Sequence, residues 1–306
     1  MEFQIRPLAV DVDKLDGLSA RLVTSHHENN YSGAVKRLNA IRGQLGQLDW
    51  ATTPVFVVNG LKREELIAAN SAFLHELYFD VLGTHEATPP GGLALALQRD
   101  FGSIDQWRAE FVAMGKAMGG GSGWVLLSWS SREARLVNHW AADHTHLLAG
   151  ATPVLALDMY EHAYHLDFGA KAAAYVDAFM KNISWDAVHR RYADAIAADA
   201  SNLGVLPGSV AASGVPILDV RRQADYAPAT QMVEGARWLD PVDVAQWSAE
   251  LDRAQPVVVH CARGGDVCRS TALALRARGI DARYVVGGFE GWKAAGLPLQ
   301  PKGAQS

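Results

Sequence analysis

The stretch "DMYEHAYHLDFG" concentrates residues that can bind a metal ion, directly after the apolar run "PVLALD". Asp158, His162 and His165 fall within eight positions. Asp158 and His162 are four residues apart, so on a helical turn they share one face and could hold one ion. The alternative is structural, because an aspartate after a strand often caps a helix and a core histidine is often only hydrogen-bonded. Two ligands do not make a site, so the rest of the chain must supply partners.

A second reactive group is a cysteine near the C-terminus. Cys261 ends the apolar run "PVVVHC" and is followed by the loop "ARGGDV" and a predicted helix. Backbone N–H groups of such a loop and the positive end of the helix stabilise a thiolate and any anion beside it. The alternative is a buried cysteine that merely ends a strand. Cys268 is interpreted either as a resolving thiol on the first helical turn or as a packed core cysteine.

Composition limits the classes of function. The chain has 306 residues, 49% hydrophobic and 20% charged, which is typical of a soluble globular protein with room for two domains. The net charge of -5 argues against a nucleic-acid surface. No apolar run is long enough to span a membrane, and "MEFQIRPLAVDVDK" lacks the pattern of a signal peptide. The two cysteines exclude a disulfide framework. We therefore expect a cytoplasmic protein that binds neither nucleic acid nor membrane.

The first two thirds of the sequence have helical periodicity. Apolar positions recur at spacings of three and four in "DKLDGLSARLVTSHHENNYSGAVKRLNAIRGQLGQ" and in "KREELIAANSAFLHELYFDVLG", which predicts an antiparallel helical hairpin. Each helix carries one inward-facing histidine candidate, His26 and His75, although a lone histidine among apolar residues is more often part of the core. The remaining segments are predicted as one helix, three strands and a further helix: "LQRDFGSIDQWRAEFVAMGKAM", "GGGSGWVLLSW", "REARLVNHW", "ATPVLALD" and "AAAYVDAFMKNISWDAVHRRYADAIAAD".

Together these segments resemble the iron/manganese superoxide dismutase family from about residue 15 to 193. "DMYEHAYHLDFG" is similar to the family's D-x-W-E-H-A-Y segment, and "SHHENNYSGAVKRLNAI", "NSAFLHELYF", "GSGW" and "NISW" follow the family's order. The resemblance implies one iron or manganese ion per chain and the following ligands: His26, His75, Asp158 and His162. It also implies a homodimer in which Glu161 reaches the partner's ligand histidine, whereas the alternative for Glu161 is a solvated helix residue.

The implied ligand set suits the implied reaction. Dismutation needs a metal that superoxide first reduces and then re-oxidises, and imidazole with a hard carboxylate holds iron or manganese in both states. Zinc could bind the same groups but cannot change its oxidation state. The sequence departs from the family around this set, at Asn30, Ala34, Ser71, Asp143 with His144 beside it, and Tyr160. Outer residues of this kind tune the metal, so the sequence supports metal binding better than fast dismutation.

In the last hundred residues strands and helices alternate. "VPILDVR", "QPVVVHC" and "DARYVVGG" are predicted as strands, and "PVDVAQWSAELD", "DVCRSTALALRARG" and "FEGWKAAG" as helices, a rhythm that predicts a parallel sheet. The preceding "ADAIAADASNLGVLPGSVAASG" is interpreted as the end of a helix plus a linker.

This part resembles a rhodanese domain over roughly 205–300, on the segments "ILDVR", "VVVHCARGGDVCRS" and "GGFEGWKAAGLPL". The resemblance implies that Cys261 carries a persulfide and passes its outer sulfur to an acceptor. Arg263 and Arg269 are the candidates for binding an anionic donor. The loop departs from the usual C-x-x-G-x-R-S spacing, because Arg269 and Ser270 arrive only after Cys268.

The sequence thus predicts a multidomain protein. Residues 1–195 form an α+β domain of the iron/manganese superoxide dismutase type, 196–212 a linker, and 213–306 an α/β rhodanese-like sulfurtransferase domain. The expected reactions are dismutation of superoxide to oxygen and hydrogen peroxide, and transfer of sulfur from a sulfane-sulfur donor to a thiol or to cyanide. One alternative is a metal-binding module that is weak or silent as a dismutase, with chemistry only at Cys261. Another is a stress-linked binding module in which neither half turns over.

Overall fold

The computed structural model describes residues 2–83 and 88–303. The α-helices are α1 (Ala20–Ser25), α2 (Ser32–Leu45), α3 (Val55–Asp80), α4 (Gly91–Phe101), α5 (Ile104–Ala117), α6 (His165–Phe168), α7 (Ala172–Phe179), α8 (Trp185–Asp199), α9 (Pro207–Ala211), α10 (Gln223–Tyr226), α11 (Val244–Trp247), α12 (Asp266–Ala277) and α13 (Gly288–Ala294). The strands are β1 (Trp124–Ser130), β2 (Arg135–Ala141), β3 (Ala151–Asp158), β4 (Gly204–Val205), β5 (Ile217–Asp219), β6 (Gln231–Val233), β7 (Arg237–Trp238), β8 (Val257–His260), β9 (Ala282–Val285) and β10 (Leu299–Pro301).

The predicted helical hairpin is present. The helix α1 continues through a π-helical segment, His26–Tyr31, into α2, and α2 packs along α3. A π-helical turn holds one residue more than an α-helical turn, and such turns are frequent at functional sites. His26 is the first residue of this segment, and its side chain is buried. The hairpin therefore presents His26 and His75, which lies on α3, to the same interior.

The three predicted strands of the N-terminal half form an antiparallel sheet in the order β2-β1-β3. Every residue of β1 is buried; this strand lies between β2 and β3, and α5 and α8 pack against it. Trp124 at the start of β1 pairs with Asp158 at the end of β3. The register thus delivers the Asp158 carboxylate to the end of the sheet that meets α3.

Two of the predicted helices are each divided into two. The segment predicted as one helix from "LQRDFG" onward is α4 and α5, because the chain breaks at Gly102, where φ is +88°. Ser103 then caps α5 by accepting a hydrogen bond from Gln106 N at 3.0 Å. The second predicted helix is α7 and α8, with Ser184 capping α8. The sequence pattern predicted one continuous helix in each case, because the apolar spacing continues through both breaks.

The C-terminal half contains the parallel sheet that the alternation of strands and helices predicts. Its strand order is β4-β9-β8-β5-β7, and each neighbouring pair is parallel. A separate antiparallel pair joins β6 and β10. The helix end that the sequence predicts there is present as the end of α8, but the rest of the predicted linker 196–212 contains the strand β4 and the helix α9. Since β4 pairs with β9, this stretch already contributes to the second sheet.

The two halves share apolar packing. One core cluster of the C-terminal sheet contains Cys261, Val267 and Cys268 together with Leu95 of α4 and Ala200 at the end of α8. The fold is therefore one in which a helix of the N-terminal half is part of the second core. None of the helices in the described ranges is long and apolar enough to span a lipid bilayer.

Asn182 joins distant parts of the N-terminal half. Its side chain is buried, its Oδ1 accepts from Asp16 N at 2.7 Å, and its Nδ2 donates to the Asp16 and Ala178 carbonyl oxygens, both at 2.8 Å. Two of these hydrogen bonds fasten the N-terminal segment to the chain that leads into α8, and the third holds the amide against the end of α7.

Replacing Asn182 by alanine is therefore expected to lower the free energy of unfolding by about 2 to 3 kcal/mol, at ~1 kcal/mol for each hydrogen bond lost. Asn182→Asp should be at least as damaging, because a carboxylate oxygen would face two carbonyl oxygens. Urea denaturation of the full chain measures both. The exposed Asn202 is the matched control, and its alanine variant should stay within about 0.5 kcal/mol of the parent protein. Equal stability of the Asn182→Ala and Asn202→Ala variants would contradict the role given to Asn182.

Candidate metal centre and thiol site

Four side chains converge at the junction of the hairpin and the antiparallel sheet. They are His26, His75, Asp158 and His162, and one potential ligand atom from each lies within 4.8 Å of all the others. His26 comes from the π-helical segment, His75 from α3, Asp158 from the end of β3, and His162 from the short 3-10 helix Glu161–Ala163. The structure thus brings together the four residues that the resemblance implied as ligands. His165, the other histidine of the opening motif, is exposed on α6.

The spacing of these atoms fits a single metal ion. The Nε2 atoms of His26, His75 and His162 lie 3.2, 3.4 and 3.1 Å from Asp158 Oδ2. Ligands that each sit ~2.1 Å from one ion are separated by about 3.0 to 3.6 Å when their angles at the ion are 90 to 120°. His26 Nε2 is also buried without a hydrogen bond of good geometry. One buried nitrogen atom without a partner, with two further imidazole nitrogens and a carboxylate oxygen at these separations, fits a shared ion.

Hydrogen bonds orient two of the ligands. His75 Nδ1 lies 2.6 Å from the carbonyl oxygen of Ser71, and because a carbonyl can only accept, the ring nitrogen donates. That fixes the tautomer in which His75 Nε2 has a free lone pair toward the cluster. Asp158 Oδ1 accepts from the backbone N–H of Tyr160 at 2.8 Å, so its Oδ2 is the oxygen left to face the histidines. The ligand set is therefore preorganised by the protein backbone.

The electrostatics of the cluster favour the protonation states that bind metal. Burial lowers the pKa of His26, and burial together with the neighbouring His26 lowers the pKa of His75 to about 3, so both rings are neutral. Burial opposes ionisation of Asp158, but the charge and hydrogen bond of His162, with His26, outweigh it and hold the pKa of that carboxyl well below its usual range. Neutral imidazoles and an ionised carboxylate are the forms in which these groups act as ligands.

Aromatic rings enclose the cluster. Trp124 meets His75 edge to face at 5.2 Å between ring centroids, and Tyr160 stacks on His162 at 5.4 Å. Tyr160 stacks on its other side on His144, whose Nδ1 accepts from Trp124 Nε1 at 3.0 Å. The cluster is thus shielded from solvent on this side, and His144 is held in place by two aromatic residues.

His144, and not its neighbour Asp143, faces the candidate metal centre. The Asp143 side chain is exposed and accepts hydrogen bonds from Thr145 N and Oγ1 at 2.7 and 2.6 Å. The sequence analysis named Asp143 together with Ser71 as the tuning positions and noted His144 only as adjacent, so at Asp143 that expectation is wrong. The turn that buries His144 has no signal in periodicity, because it depends on how the loop between β2 and β3 folds over the sheet.

A cavity of about 290 Å³ lies beside the cluster. Asn30, Ala34, Ser71 and His144 line it, and Arg37 lies among its lining residues with its side chain 58% exposed. The small side chains at positions 34 and 71 leave space where a larger residue would narrow the cavity. None of the four candidate ligands lines the cavity; His144, whose ring centroid is 6.2 Å from that of His75, separates it from them, and Arg37 is ion-paired with Glu64.

Glu161 lies on the surface next to the ligand His162. It begins the short 3-10 helix, is exposed, and makes no ion pair with any residue in the described ranges. Its carboxylate is therefore open to solvent beside the candidate ligand His162.

In the C-terminal half Cys261 follows β8 directly and precedes α12. The pKa of Cys261 is lowered to about 6, and the largest cause is a hydrogen bond from the Cys268 thiol. Burial opposes this shift, and the backbone amides of Arg263, Cys268 and Gly265 lower the pKa further. The backbone of α13 also fixes the loop, since Phe289 N donates to the Cys261 carbonyl at 2.8 Å. The thiolate is thus the favoured form at neutral pH.

Cys268 has the opposite character. It lies in the first turn of α12, is completely buried, and its thiol is 3.5 Å from the Gly265 carbonyl. Burial and the neighbouring Cys261 raise the pKa of Cys268 well above its ordinary value. Both cysteines are free thiols in the structure. Cys268 is therefore a protonated donor to Cys261, and not a second thiolate.

A cavity of about 650 Å³ opens above Cys261. Arg263, one of the two arginines named from the sequence, lines it and is exposed. Arg269 does not line it, and its guanidinium lies instead over the Tyr284 ring, 5.4 Å from the centroid. Arg221 and Arg222 line the cavity, and the sequence analysis did not name them. Both arginines follow β5, so they lie at the same edge of the parallel sheet as Cys261. That placement could have identified them from the sequence.

The comparisons with known proteins agree with both sites. Residues 89–191 match the family described as iron/manganese superoxide dismutases, C-terminal domain, and residues 206–295 match the rhodanese-like domain. The chain is 63% identical over 196 residues to a protein named superoxide dismutase [Fe] from Cupriavidus metallidurans, covering 64% of this chain and 99% of the relative.

More distant relatives carry either metal in their names. A superoxide dismutase [Fe] from Aquifex aeolicus is 34% identical over 60% of this chain and 88% of its own length. A superoxide dismutase [Mn] 1 from Halobacterium salinarum is 32% identical over 63% of this chain and 96% of its own length. All three alignments are about as long as the part of the chain that ends with α8. The chain belongs to the iron/manganese superoxide dismutase family, and after that family's domain it continues into a rhodanese-like domain.

Proposed function

We propose that the chain is a superoxide dismutase with one iron or manganese ion held by the four converging ligands, joined to a sulfurtransferase whose nucleophile is Cys261. The observation that carries the first activity is the set of three imidazole Nε2 atoms around one ionised carboxylate oxygen, at separations that fit one ion. The observation that carries the second is the Cys261 thiol with its pKa lowered to about 6 in a loop between a strand and a helix. The domain boundaries 1–195 and 213–306 are part of this proposal.

In the dismutase reaction two superoxide ions and two protons yield oxygen and hydrogen peroxide. A bound iron or manganese ion would supply the one-electron couple that this reaction needs. The protein keeps the ligands oriented through Ser71 and Tyr160. Trp124 and Tyr160 hold His144 in place, and this position supports a role for His144 in adjusting the acidity of solvent at the centre.

A homodimer is part of the proposal. Glu161 is exposed beside His162 and has no ion-pair partner in the described part of its own chain. In a twofold dimer each chain would offer the same carboxylate to the other, so that one contact is made twice. A carboxylate bonded to a ligand histidine of the partner subunit fixes that ring's orientation and tautomer.

The sulfur reaction needs no metal. The Cys261 thiolate attacks the outer sulfur of thiosulfate, a Cys–S–S⁻ persulfide forms, and sulfite leaves with the electron pair of the broken bond. Cyanide or a thiolate then takes the outer sulfur, and Cys261 leaves as the thiolate. The amides of Arg263 and Gly265 that stabilise the thiolate also suit the charge on the persulfide. Free thiols at Cys261 and Cys268 support a reducing location, the cytoplasm.

For the metal centre, His75→Ala and Asp158→Ala are each expected to lose the ion and the dismutase activity, because three ligands leave an incomplete shell. Elemental analysis of the purified chain should give about one iron or manganese per chain for the parent protein and close to none for the variants. His146→Ala, at an exposed histidine, is the matched control. Unchanged metal in both ligand variants, or zinc as the native ion, would overturn the assignment. Metal without dismutase activity would favour a silent metal-binding module.

For the dimer, Glu161→Ala should weaken association and lower metal content at both sites together. Sedimentation at micromolar protein concentration and elemental analysis of the same samples measure the two effects. Glu161→Gln keeps the shape and removes the charge, so it separates packing from the hydrogen bond to the ligand histidine. We expect a loss of metal affinity of roughly 10-fold or more in the alanine variant. A parent protein that is monomeric with its metal bound would rule the contact out.

For the thiol, Cys261→Ser should abolish persulfide formation from thiosulfate, and Cys268→Ser should retain it at a reduced rate. Intact mass after incubation with thiosulfate, and sulfur delivered to cyanide, are the measurements. The lowered pKa means that the thiolate persists above about pH 6 and is lost as the pH falls through it. The alkylation rate of Cys261 should follow that profile and shift to higher pH in Cys268→Ala, which lacks the thiol donor. A persulfide on Cys268 alone would sink the proposal.

A further inference from the structure

The cavity above Cys261 has one wall from each half of the chain. Cys261, Arg263 and Asp266 line it from the rhodanese-like domain. His189 of α8 and the first residues of α4 line it from the dismutase-family domain. The pocket in which the sulfur chemistry would occur is therefore not complete in the C-terminal half alone.

The closest polar contact between the walls is a hydrogen-bonded pair. His189 Nε2 lies 2.7 Å from Asp266 Oδ2, with side chains 29% and 20% exposed. Asp266 is the first residue of α12, five positions after Cys261. Burial opposes ionisation of Asp266, but the hydrogen bond and charge of His189 lead the influences that hold its pKa below the usual range. His189 thus fixes an ionised carboxylate within the loop that carries the thiolate.

Two glycines at the start of α4 let the domains approach closely. A Cβ atom added at Gly92 would lie 1.7 Å from Asp266 Oδ2, and one at Gly91 would lie 1.4 Å from Arg222 Nη1. No side chain fits at either position without moving a polar group of the other domain. The positive end of α4, an eleven-residue helix, faces the Asp266 carboxylate, which is the favourable orientation. Asp266 is therefore held from two directions by the dismutase-family domain.

The size and charge of the cavity indicate the kind of molecule it accepts. Its volume of about 650 Å³ is that of a site for a small organic ligand, and more than an inorganic anion needs. Arg263 and Glu290 line it, both are exposed, and neither has an ion-pair partner in the described ranges. One free charge of each sign suits a ligand that carries a carboxylate and an ammonium group.

We propose that the dismutase-family domain completes the acceptor site of Cys261, with His189 as a positioning residue, and that the acceptor is a small thiol carrying both a carboxylate and an ammonium group, such as cysteine. This rests on the proposed sulfur transfer at Cys261. The acceptor thiolate attacks the outer sulfur of the Cys261 persulfide and a new S–S bond forms. The bond between Cys261 Sγ and that sulfur breaks, Cys261 keeps the electron pair as its thiolate, and the transferred sulfur keeps its negative charge, so that the product leaves as a persulfide anion.

The test compares acceptors on the full-length, metal-loaded protein with thiosulfate as donor. Initial rates are measured against the concentration of cysteine, of neutral 2-mercaptoethanol and of cyanide. With the parent protein, the KM for cysteine should be lower than the KM for 2-mercaptoethanol. His189→Ala and Gly92→Ala should each raise the KM for cysteine about tenfold, equivalent to ~1.4 kcal/mol. Both variants should change the kinetics with cyanide much less, because cyanide does not need the cavity wall that the dismutase-family domain contributes.

Two variants serve as controls for position and chemistry. His189→Gln keeps an N–H donor for Asp266, so it should restore most of the affinity for cysteine if His189 acts by positioning. Gly43→Ala adds a methyl group in a helix where nothing lies within 4 Å, so it should behave as the parent protein. Dismutase activity, measured on every sample, should be unchanged in the His189 and Gly92 variants, which shows that the metal domain is folded.

A binding measurement that needs no turnover separates this inference from the proposed function. S-methylcysteine has the same two charges but cannot accept sulfur, and it should slow alkylation of Cys261 by iodoacetamide in the parent protein but not in His189→Ala. A parent protein that forms no persulfide on Cys261 refutes the proposed sulfur transfer. Equal protection and equal KM for cysteine in the parent, His189→Ala and Gly92→Ala proteins refute the shared site. Preference for 2-mercaptoethanol over cysteine refutes the ligand class.

Discussion

The fully buried carboxylate of Asp158 is the constraint on which the N-terminal half depends. An isolated charge in that position would cost many kcal/mol, so its Oδ2 must be surrounded by groups that stabilise it. The Nε2 atoms of three histidines lie 3.1 to 3.4 Å from it, each from a different element, and a metal cation among them would supply the compensating charge. The hairpin, the sheet and the short 3-10 helix are thus fixed relative to one another around one oxygen atom. The same arrangement leaves the imidazole lone pairs directed at a common point.

The two cysteines of the C-terminal half have complementary protonation states. Cys261 and Cys268 are both buried, so neither would ionise readily by itself. A proton shared unevenly between them lets one become a thiolate while the other remains the donor. Loop amides then stabilise the charge, and Arg222 interacts with it electrostatically. This explains how the loop functions although Arg269 is directed away onto Tyr284.

The sequence predicted the elements and some of the candidate site residues, because both leave local signals. Asp158 and His162 stand four apart in one motif and Cys261 ends an apolar run, which marked them as candidates, whereas the full set of four candidate ligands came from the family resemblance. The breaks at Gly102 and Ser184 were missed because apolar periodicity continues across them.

What the sequence could not give are the contacts made between distant segments. His144 gained its place from a loop folded against Trp124, and no local pattern encodes that. The neighbours of Cys261 depend likewise on how two domains dock. His189 lies 72 positions from Cys261 along the chain and looks like an ordinary helix residue in the sequence. Tertiary packing determines the positions of His144 and His189, so residue spacing along the chain does not predict them.

The packing of Leu95 of α4 and Ala200 against the core around Cys268 also changes what a domain boundary means in this chain. Cutting the chain between the two sheets would expose apolar surface on both fragments, and that surface is now covered only by the other half. The two halves are therefore one cooperative unit in unfolding, although each resembles a protein that exists by itself. Occupancy of the metal centre then stabilises the thiol loop as well, because a ligand that binds only the folded state raises the stability of everything that unfolds with it.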